Sequence, residues 1–392
     1  MDSALLKELA GAFSSNRMAA AKAIREICEI DPPGFLAAAV PLLQESALAD
    51  PAENAGSRYL LSVLLARPDA LERLCDPALF SPAQSAALVR QAKTLDPLVE
   101  LNLARLAAGL SYRTERDADL GTRALEVLGQ SPDPAATMPA LRQLLECANE
   151  RVRSKAALLI GRINRNPQWA ALGGLHEDPR VAANAVESLW GLDSRAAREE
   201  FRKAAADPKH RVAGNGAVGL YLAGDMQGAL ALFGLSRHPQ EPFRRTSGWA
   251  MGRTGDPRFL ARLASLTQDP VPVVREAAVR GLTMMNERIQ SLATAARLPL
   301  EIRTAKYHEG THTLQVRVGD GGSASRGFGA LDFVVSNGDE VMERYSIEEL
   351  PGSSPVIYQI IFDAPLSESR LVKVELYSGR GCGQDTGFEL AY

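Results

Sequence analysis

The sequence predicts an α-solenoid of stacked antiparallel helix pairs followed by a small all-β sandwich domain. Three observations carry this expectation. An apolar or small triplet with a spacing of four recurs at Val152/Ala156/Ile160, Val181/Ala185/Leu189, Val212/Gly216/Leu220, Phe243/Ser247/Met251 and Val274/Ala278/Leu282. That spacing puts each triplet on one buried helical stripe. The first members lie 29, 31, 31 and 31 residues apart, and a near-constant period of this size marks a stacked helical repeat. The second observation is the recurring start signal, clearest in Asp269-Pro270 ahead of Val274: Asp caps the orphan N–H groups of a first turn, and Pro suits the first helical position. The third is a change of period beyond Arg297-Leu298-Pro299, where alternation replaces the helical stripe.

Taken in order, residues 2–30 read as a helix pair, Ala4–Phe13 and Arg17–Ile30, closed by Asp31-Pro32-Pro33-Gly34. Gly34–Ser46 and Pro51–Ala66 form a second pair, Asp69–Leu74 and Pro82–Thr94 a weaker third, and Pro97–Leu110 and Asp117–Gly129 a fourth. Asp-Pro at 50, 76, 96 and 133 repeats the start chemistry, with looser spacing than downstream. The regular part follows as Pro134–Asn164, Pro167–Leu192, Ser194–Ala223, Met226–Arg253 and Pro257–Asn286. About nine pairs result, none able to bury its stripe alone, so each is stabilised by stacking on its neighbours. The expected domains are 1–296, irregular over 1–130 and regular over 131–286, and 299–392. In the latter, Thr313–Val318, Leu331–Ser336, Glu340–Ser346, Val356–Phe362, Leu371–Tyr377 and Phe388–Tyr392 read as short strands between Gly, Asn, Asp and Ser clusters. Strand count alone suggests the antiparallel sandwich, with an immunoglobulin-like arrangement as one option among small β-folds.

The repeat motif, Asp-Pro-x-x-x-Val-Arg-x-x-Ala-x-x-Ala-Leu-Gly, resembles HEAT repeats, particularly the short bacterial type also found in phycobilisome lyase proteins. Asn149-Glu150-Arg151-Val152-Arg153 and Val274-Arg275 match best, with Asp at 178, 207 and 269. The resemblance implies antiparallel helix pairs in a curved rod with an Asp–Arg ladder along the turns. The chain departs from the pattern where Ala182 and Ala213 replace the ladder Arg and where Pro239 replaces Asp.

With 392 residues, 46% hydrophobic and 23% charged, a net charge of −3 and no apolar run long enough to span a bilayer, the chain is expected to bind neither nucleic acid nor a membrane. Its N-terminus, Met1-Asp2-Ser3-Ala4, lacks the basic start of a secretory signal, and Cys28, Cys75, Cys147 and Cys382 are isolated. A reduced, cytoplasmic protein without cofactor is expected.

One motif invites a metal reading. His308-Glu309-Gly310-Thr311-His312 matches His-Glu-x-x-His, which binds zinc when both histidines share a helical face and Glu is the general base. Gly310 and Thr311 are poor helix formers, and a strand pattern starts at once, so the string is expected in a β-turn and a zinc hydrolase is only a remote alternative. The Gly-rich runs 319–323 and 379–383 lack the Lys-Ser/Thr of a P-loop and read as inter-strand loops; Cys382 beside Arg380 reads as a loop thiol.

The more informative residues lie on the repeats. Counting from each Val152-type position, +2, +5, +6 and +9 point away from the stripe and include Leu158, Val186, Trp190, Val218, Tyr221, Trp249 and Val279, with Arg245, Glu276 and Arg280 as a polar rim. Two readings compete: a partner-binding groove with aromatic hot spots, or lateral packing between repeats. The groove reading expects a non-enzymatic scaffold that binds a protein segment on Leu158, Trp190, Val218, Tyr221, Arg245, Trp249, Glu276 and Arg280, with the β-domain as a second docking module and no small-molecule ligand. The resemblance offers a second function, a bilin lyase-like protein acting on a chromophore or phycobiliprotein, though no acidic or histidine-bearing pocket is evident in the repeats.

Overall fold

A computed structural model of the protein describes residues 3–47, 55–130, 137–174, 177–294, 300–308, 311–320, 329–338, 340–350, 357–363, 372–378, 382–383 and 388–390. Contacts divide the chain into two compact units, residues 1–165 and 166–392. This boundary falls within the repeats and not near residue 297, so the β-strands cluster with the later helices.

The first unit contains α1 (Ser3–Ala12), α2 (Arg17–Ile30), α3 (Pro32–Ser46), α4 (Ala55–Leu65), α5 (Ala70–Leu74), α6 (Pro82–Lys93), α7 (Val99–Gly109), α8 (Glu115–Leu128), α9 (Met138–Gln143) and α10 (Glu150–Asn164). Even-numbered helices touch one another in succession, α2 to α4, α6, α8 and α10, while α1 touches α3, and α5, α7 and α9 touch in turn. Two layers of helices result, as stacking of pairs requires. The second unit continues the rule with α11 (Pro167–Gly174), α12 (Pro179–Glu187), α13 (Arg195–Ala205), α14 (His210–Leu222), α15 (Met226–Ser236), α16 (Glu241–Thr254), α17 (Leu260–Leu266) and α18 (Pro272–Thr294). Here α12, α14, α16 and α18 form one layer. The chain is a helical repeat with a small C-terminal β region.

The start signals act as short turns. The Oδ1 atoms of Asp76, Asp96, Asp178, Asp207, Asp256 and Asp269 each accept the N–H two residues on, at 2.7–3.0 Å. After Asp269 the helix begins at Pro272, so Pro270 lies in the turn and not at the first helical position. Asp50-Pro51 and Asp133-Pro134 lie outside the described residues. Three arginines just after the first stripe residue then fold back in one manner. Arg153 donates to the carbonyls of Cys147 and Ala148, Arg244 to those of His238 and Pro239, and Arg275 to those of Asp269 and Pro270. Carbonyls of the preceding turn thereby gain partners. Arg244 also pairs with Asp269 through Nε (2.7 Å) and Nη2 (3.1 Å), holding that carboxyl below its ordinary range. It is a rung between consecutive repeats. Ala182 and Ala213, at 0% and 1% exposure, fill the same place with packing alone.

Helices α16 and α18 approach closely because glycines face each other. A Cβ on Gly252 would meet the Gly281 backbone, and one on Gly281 the Gly248 carbonyl. Nine strands follow among the described residues: β1 (Leu300–His308), β2 (Thr313–Asp320), β3 (Phe333–Asn337), β4 (Glu340–Val341), β5 (Tyr345–Glu349), β6 (Ile357–Phe362), β7 (Val372–Ser378), β8 (Cys382–Gly383) and β9 (Phe388–Leu390). One antiparallel sheet runs β1-β2-β6-β5 and the other β4-β3-β7-β8, with β9 also on β7. Leu314, Tyr358 and Ile360 of the first sheet and Phe333, Val335 and Val374 of the second share one core. The strand β1 was not expected; it is paired with β2 along its length, and its partner rather than its own composition makes it a strand.

Candidate partner-binding face

Helix α14 explains how the candidate residues are arranged. It packs against α12, α13, α15 and α16, and its Gly216 and Gly219 leave no room for a Cβ beside Ala204, Ala205 and Phe201 of α13. Neighbours so close cover the helix on nearly every side. Val218 is fully buried, Tyr221 is 7% exposed, and Val186 on α12 is 3% exposed. In the first unit Leu158 is 5% exposed. The expectation that Leu158, Val218 and Tyr221 line a groove is therefore corrected: these positions serve packing between helices, which the tight spacing of layers imposes.

Trp190 and Tyr221, equivalent by count, diverge for a local reason. Helix α12 ends at Glu187, so Trp190 stands in the following turn, its N–H bonded to the Glu187 carbonyl at 3.0 Å; α14 continues through Tyr221. From that turn Trp190 lies over α14, donating from Nε1 to the Asn215 carbonyl at 3.0 Å. Asn215 in turn donates to the Ala183 carbonyl at 2.7 Å. Trp249 of α16 meets Trp190 with ring centroids 6.3 Å apart and planes 25° apart. The Arg253 guanidinium lies 6.0 Å from the Trp190 ring. Both indoles pack on the core that contains Val218 yet stay partly exposed. Of the candidate residues, the structure brings together these two. On α16 Arg245 pairs with Glu241 at 3.6 Å, and on α18 Arg280 pairs with Glu276 at 3.9 Å, next in sequence to Val279, which is 53% exposed.

At the starts of α14 and α16, His210 Nδ1 lies 2.7 Å from Thr246 Oγ1, and the His210 and His238 rings both contact Phe243. Burial, then the charges of Arg211 and Arg245, push the His210 pKa below its ordinary value, against an opposing pull from Glu241.

A second constellation escaped the sequence reading. Arg258 is 2% and Asp256 0% exposed, with Arg258 Nε 2.7 Å from Asp256 Oδ2 in an ion pair whose N–H direction is not aligned for a hydrogen bond. Tyr221 Oη donates to the same carboxylate at 2.8 Å. Arg258 Nη2 donates to the Leu331 carbonyl at 2.7 Å and the Phe333 carbonyl at 3.3 Å, and Tyr345 Oη also donates to the latter. Burial opposes the guanidinium charge most strongly, but Asp256, Tyr345 and Tyr221 together outweigh it and raise the Arg258 pKa. A guanidinium thus ties the repeat to the turn before β3 and to the first residue of that strand. Asp256-Pro257 looks like every other start signal, and no spacing rule says that the next residue turns inward.

The His-Glu-x-x-His string is not helical. His308 ends β1 opposite Thr313 of β2, and His312 occupies the connecting turn with φ +49°. The two imidazoles are therefore not carried on one helical face as a zinc peptidase requires. Glu309 and Gly310 lie outside the described residues, as do 321–323 and 379–381; among the described residues no group of three potential metal ligands converges. In the first unit a cavity of about 340 Å³ is lined by Asp69, Glu72, Arg73, Asp76, Arg116 and Asp119. Two of its carboxylates are already engaged, Asp69 by Arg67 and Arg73, and Asp119 by Arg151.

No family model and no curated protein matches the sequence. Among solved structures, the chain is similar to human deoxyhypusine hydroxylase in complex with glycerol, at 16% identity and a TM-score of 0.32, over 63% of this chain and 96% of that one. Two engineered proteins are similar at TM-scores of 0.26 and 0.23, with 16% and 15% identity, over 75% and 63% of this chain and 92% and 96% of theirs. Deoxyhypusine hydroxylase is by its name an enzyme, so the comparison runs against the expectation of a non-enzymatic chain, which is not upheld. A likeness this distant assigns no activity. No described helix is long and apolar enough to cross a membrane.

Proposed function

We infer that the layer of α12, α14, α16 and α18 docks a protein segment. The observation that carries this is the Trp190–Trp249 pair, held by hydrogen bond and core packing yet partly exposed, in a layer that also exposes Val279. Large aromatic side chains preorganised on a rigid backing are favoured hot spots. Arg245, Glu276 and Arg280 form the polar surroundings. The helices read best as short HEAT-type repeats, supported by the recurrent arginine fold-back at Arg153, Arg244 and Arg275. The β region reads as a sandwich, supported by its two sheets on one core, and as a second docking module; an immunoglobulin-like arrangement is one form it takes in this reading. Unpaired Cys28, Cys75 and Cys147 suit a reducing cytoplasm.

Cross-linking mass spectrometry of the full chain in native lysate tests the docking face, comparing wild type with W190A/W249A. A defined protein cross-linked within residues 180–283 and lost in the folded double variant supports the reading. Unchanged capture by that variant sinks it.

A further inference from the structure

We propose that the outer edge of β5 receives an extended, basic segment of another protein as an added strand. The proposal rests on the reading of the β region as a second docking module and gives that module its site; it is independent of the Trp190–Trp249 pair. Hydrogen-bond parity identifies the edge. Strand β5 ends its sheet, with β6 as its neighbour. Leu350 N–H donates to the Ile357 carbonyl at 2.9 Å, and Phe362 N–H donates to the His312 carbonyl at 3.0 Å on the β2 side of β6. Main-chain groups alternate sides along a strand. Ile357, Gln359 and Ile361 therefore face β5, and Leu350 and the register partners Glu348 and Ser346 face β6 in return. Tyr345, Ile347 and Glu349 turn their N–H and C=O groups outward, and among the described residues no strand pairs with that side. The opposite edge, β1, packs beside β7 and β9 of the second sheet, whereas β5 touches the Ala330–Asp332 turn besides β6.

Alternating main-chain donors and acceptors are the complement of an extended peptide, which adds to such an edge as a further strand. The side chains select its composition. Ile347 is partly buried against the core of the β region, and Glu348 and Glu349 are exposed. Neither glutamate meets a cation among the described residues. Strand β6 carries no charge. Arg237 is paired with Glu343 and Arg344 with Asp363, Arg262 is bonded to Ser236, and Arg317 stands two strands away on β2. A short edge with charged side chains deters unwanted pairing, and here the deterrent is selective. It repels acidic strands. A second copy of the chain brings the same two glutamates and an Arg344 already engaged by Asp363. A segment with Lys or Arg beside Glu348 and Glu349 and an aliphatic residue beside Ile347 gains cross-strand pairs at each position.

Selection of a random 12-residue peptide library on the full chain, at about 0.15 M salt where distant charges are screened, supplies the probes. Recovered peptides carry a photo-crosslinker for mapping and are measured by fluorescence anisotropy on wild type, E348Q/E349Q, E349Q, E349P and W190A/W249A. The E349P change removes an outward N–H and leaves the β6 ladder intact, with E349Q as its charge control. N-methylation of alternate peptide residues tests the same bonds on the unaltered protein. The expected peptides are rich in Lys and Arg around an aliphatic residue and cross-link to β5. Their affinity falls roughly three- to tenfold in E348Q/E349Q, as for two exposed ion pairs. It is lower for E349P than for E349Q, is lost when one alternate set of peptide residues is N-methylated and kept when the other is, and is unchanged by W190A/W249A. Basic peptides indifferent to both methylation patterns bind by charge alone and overturn the proposal. Peptides at β5 without basic bias overturn it too, as does dimerisation in light scattering that E349P abolishes, which makes a second copy the occupant. Cross-links elsewhere in the β region overturn the edge and leave the module standing; cross-links confined to the repeat, or no enrichment, overturn both.

Discussion

Replacing Arg258 by methionine tests how the β region is tied to the repeat. Methionine keeps most of the stem volume and removes the guanidinium. Asp256, fully buried, would retain only the Arg258 backbone N–H at 2.9 Å and the Tyr221 hydroxyl at 2.8 Å as donors to its carboxylate. The Leu331 carbonyl would lose its 2.7 Å partner, whereas the Phe333 carbonyl would keep Tyr345. Breaking one member of a buried pair costs about 3–5 kcal/mol, because the other charge is left uncompensated, and the orphaned carbonyl is part of that cost. For a unit of this size the expected fall in Tm is about 6–20 °C. The assay is thermal and urea unfolding of the full chain at pH 7, followed by tryptophan emission, with D256N and the double variant R258M/D256N alongside. Removing both charges should cost less than the sum of the two single changes, with a coupling on the order of 2 kcal/mol. An R258M protein within about 1 kcal/mol of wild type would refute the buried pair as a tie, since a change of that size is what a surface pair gives.

Two further outcomes follow from the packing and the charges. In Gly281→Ala the new methyl runs into the Gly248 carbonyl across the α16–α18 contact, so a loss of about 1–3 kcal/mol is expected despite the better helix propensity of Ala; Gly234→Ala in α15, with open space around its Cβ, should instead gain about 0.5–1 kcal/mol, and equal effects in urea melts would sink the close-packing argument. For His210 the folded pKa is below the unfolded value of about 6.5, so the unfolded chain binds more protons as pH falls. Stability is then full above about pH 6.5 and declines as pH drops from there through the folded pKa; the decline in that window should be smaller in His210→Gln, and identical pH profiles would exclude the histidine.

Much of the fold was legible because its determinants are local. Arg17–Ile30 has the expected bounds, and the Asp start signals operate as caps or turns wherever they are described. Alternation located most strands. The candidate face was only partly legible. Counting at about 100° per residue assumed that the helix continues, and it mistook Trp190, which stands beyond the end of α12, for the equivalent of Tyr221. The same count names a direction, not an occupant, so it could not tell that glycines on α14 draw its neighbours in far enough to bury Val218 and turn Tyr221 onto Asp256.

By itself the sequence determined where helices start, which stripe each one buries and where the period changes, since propensity, capping and periodicity act within a few residues. Tertiary structure alone decided that Trp190 meets Trp249 across α14, that Arg258 points inward to carbonyls some 73–75 residues away, and that His308 pairs across a hairpin instead of sharing a helix with His312. Each of these depends on the distance between elements remote in sequence, and that distance is set by the volumes packed between them.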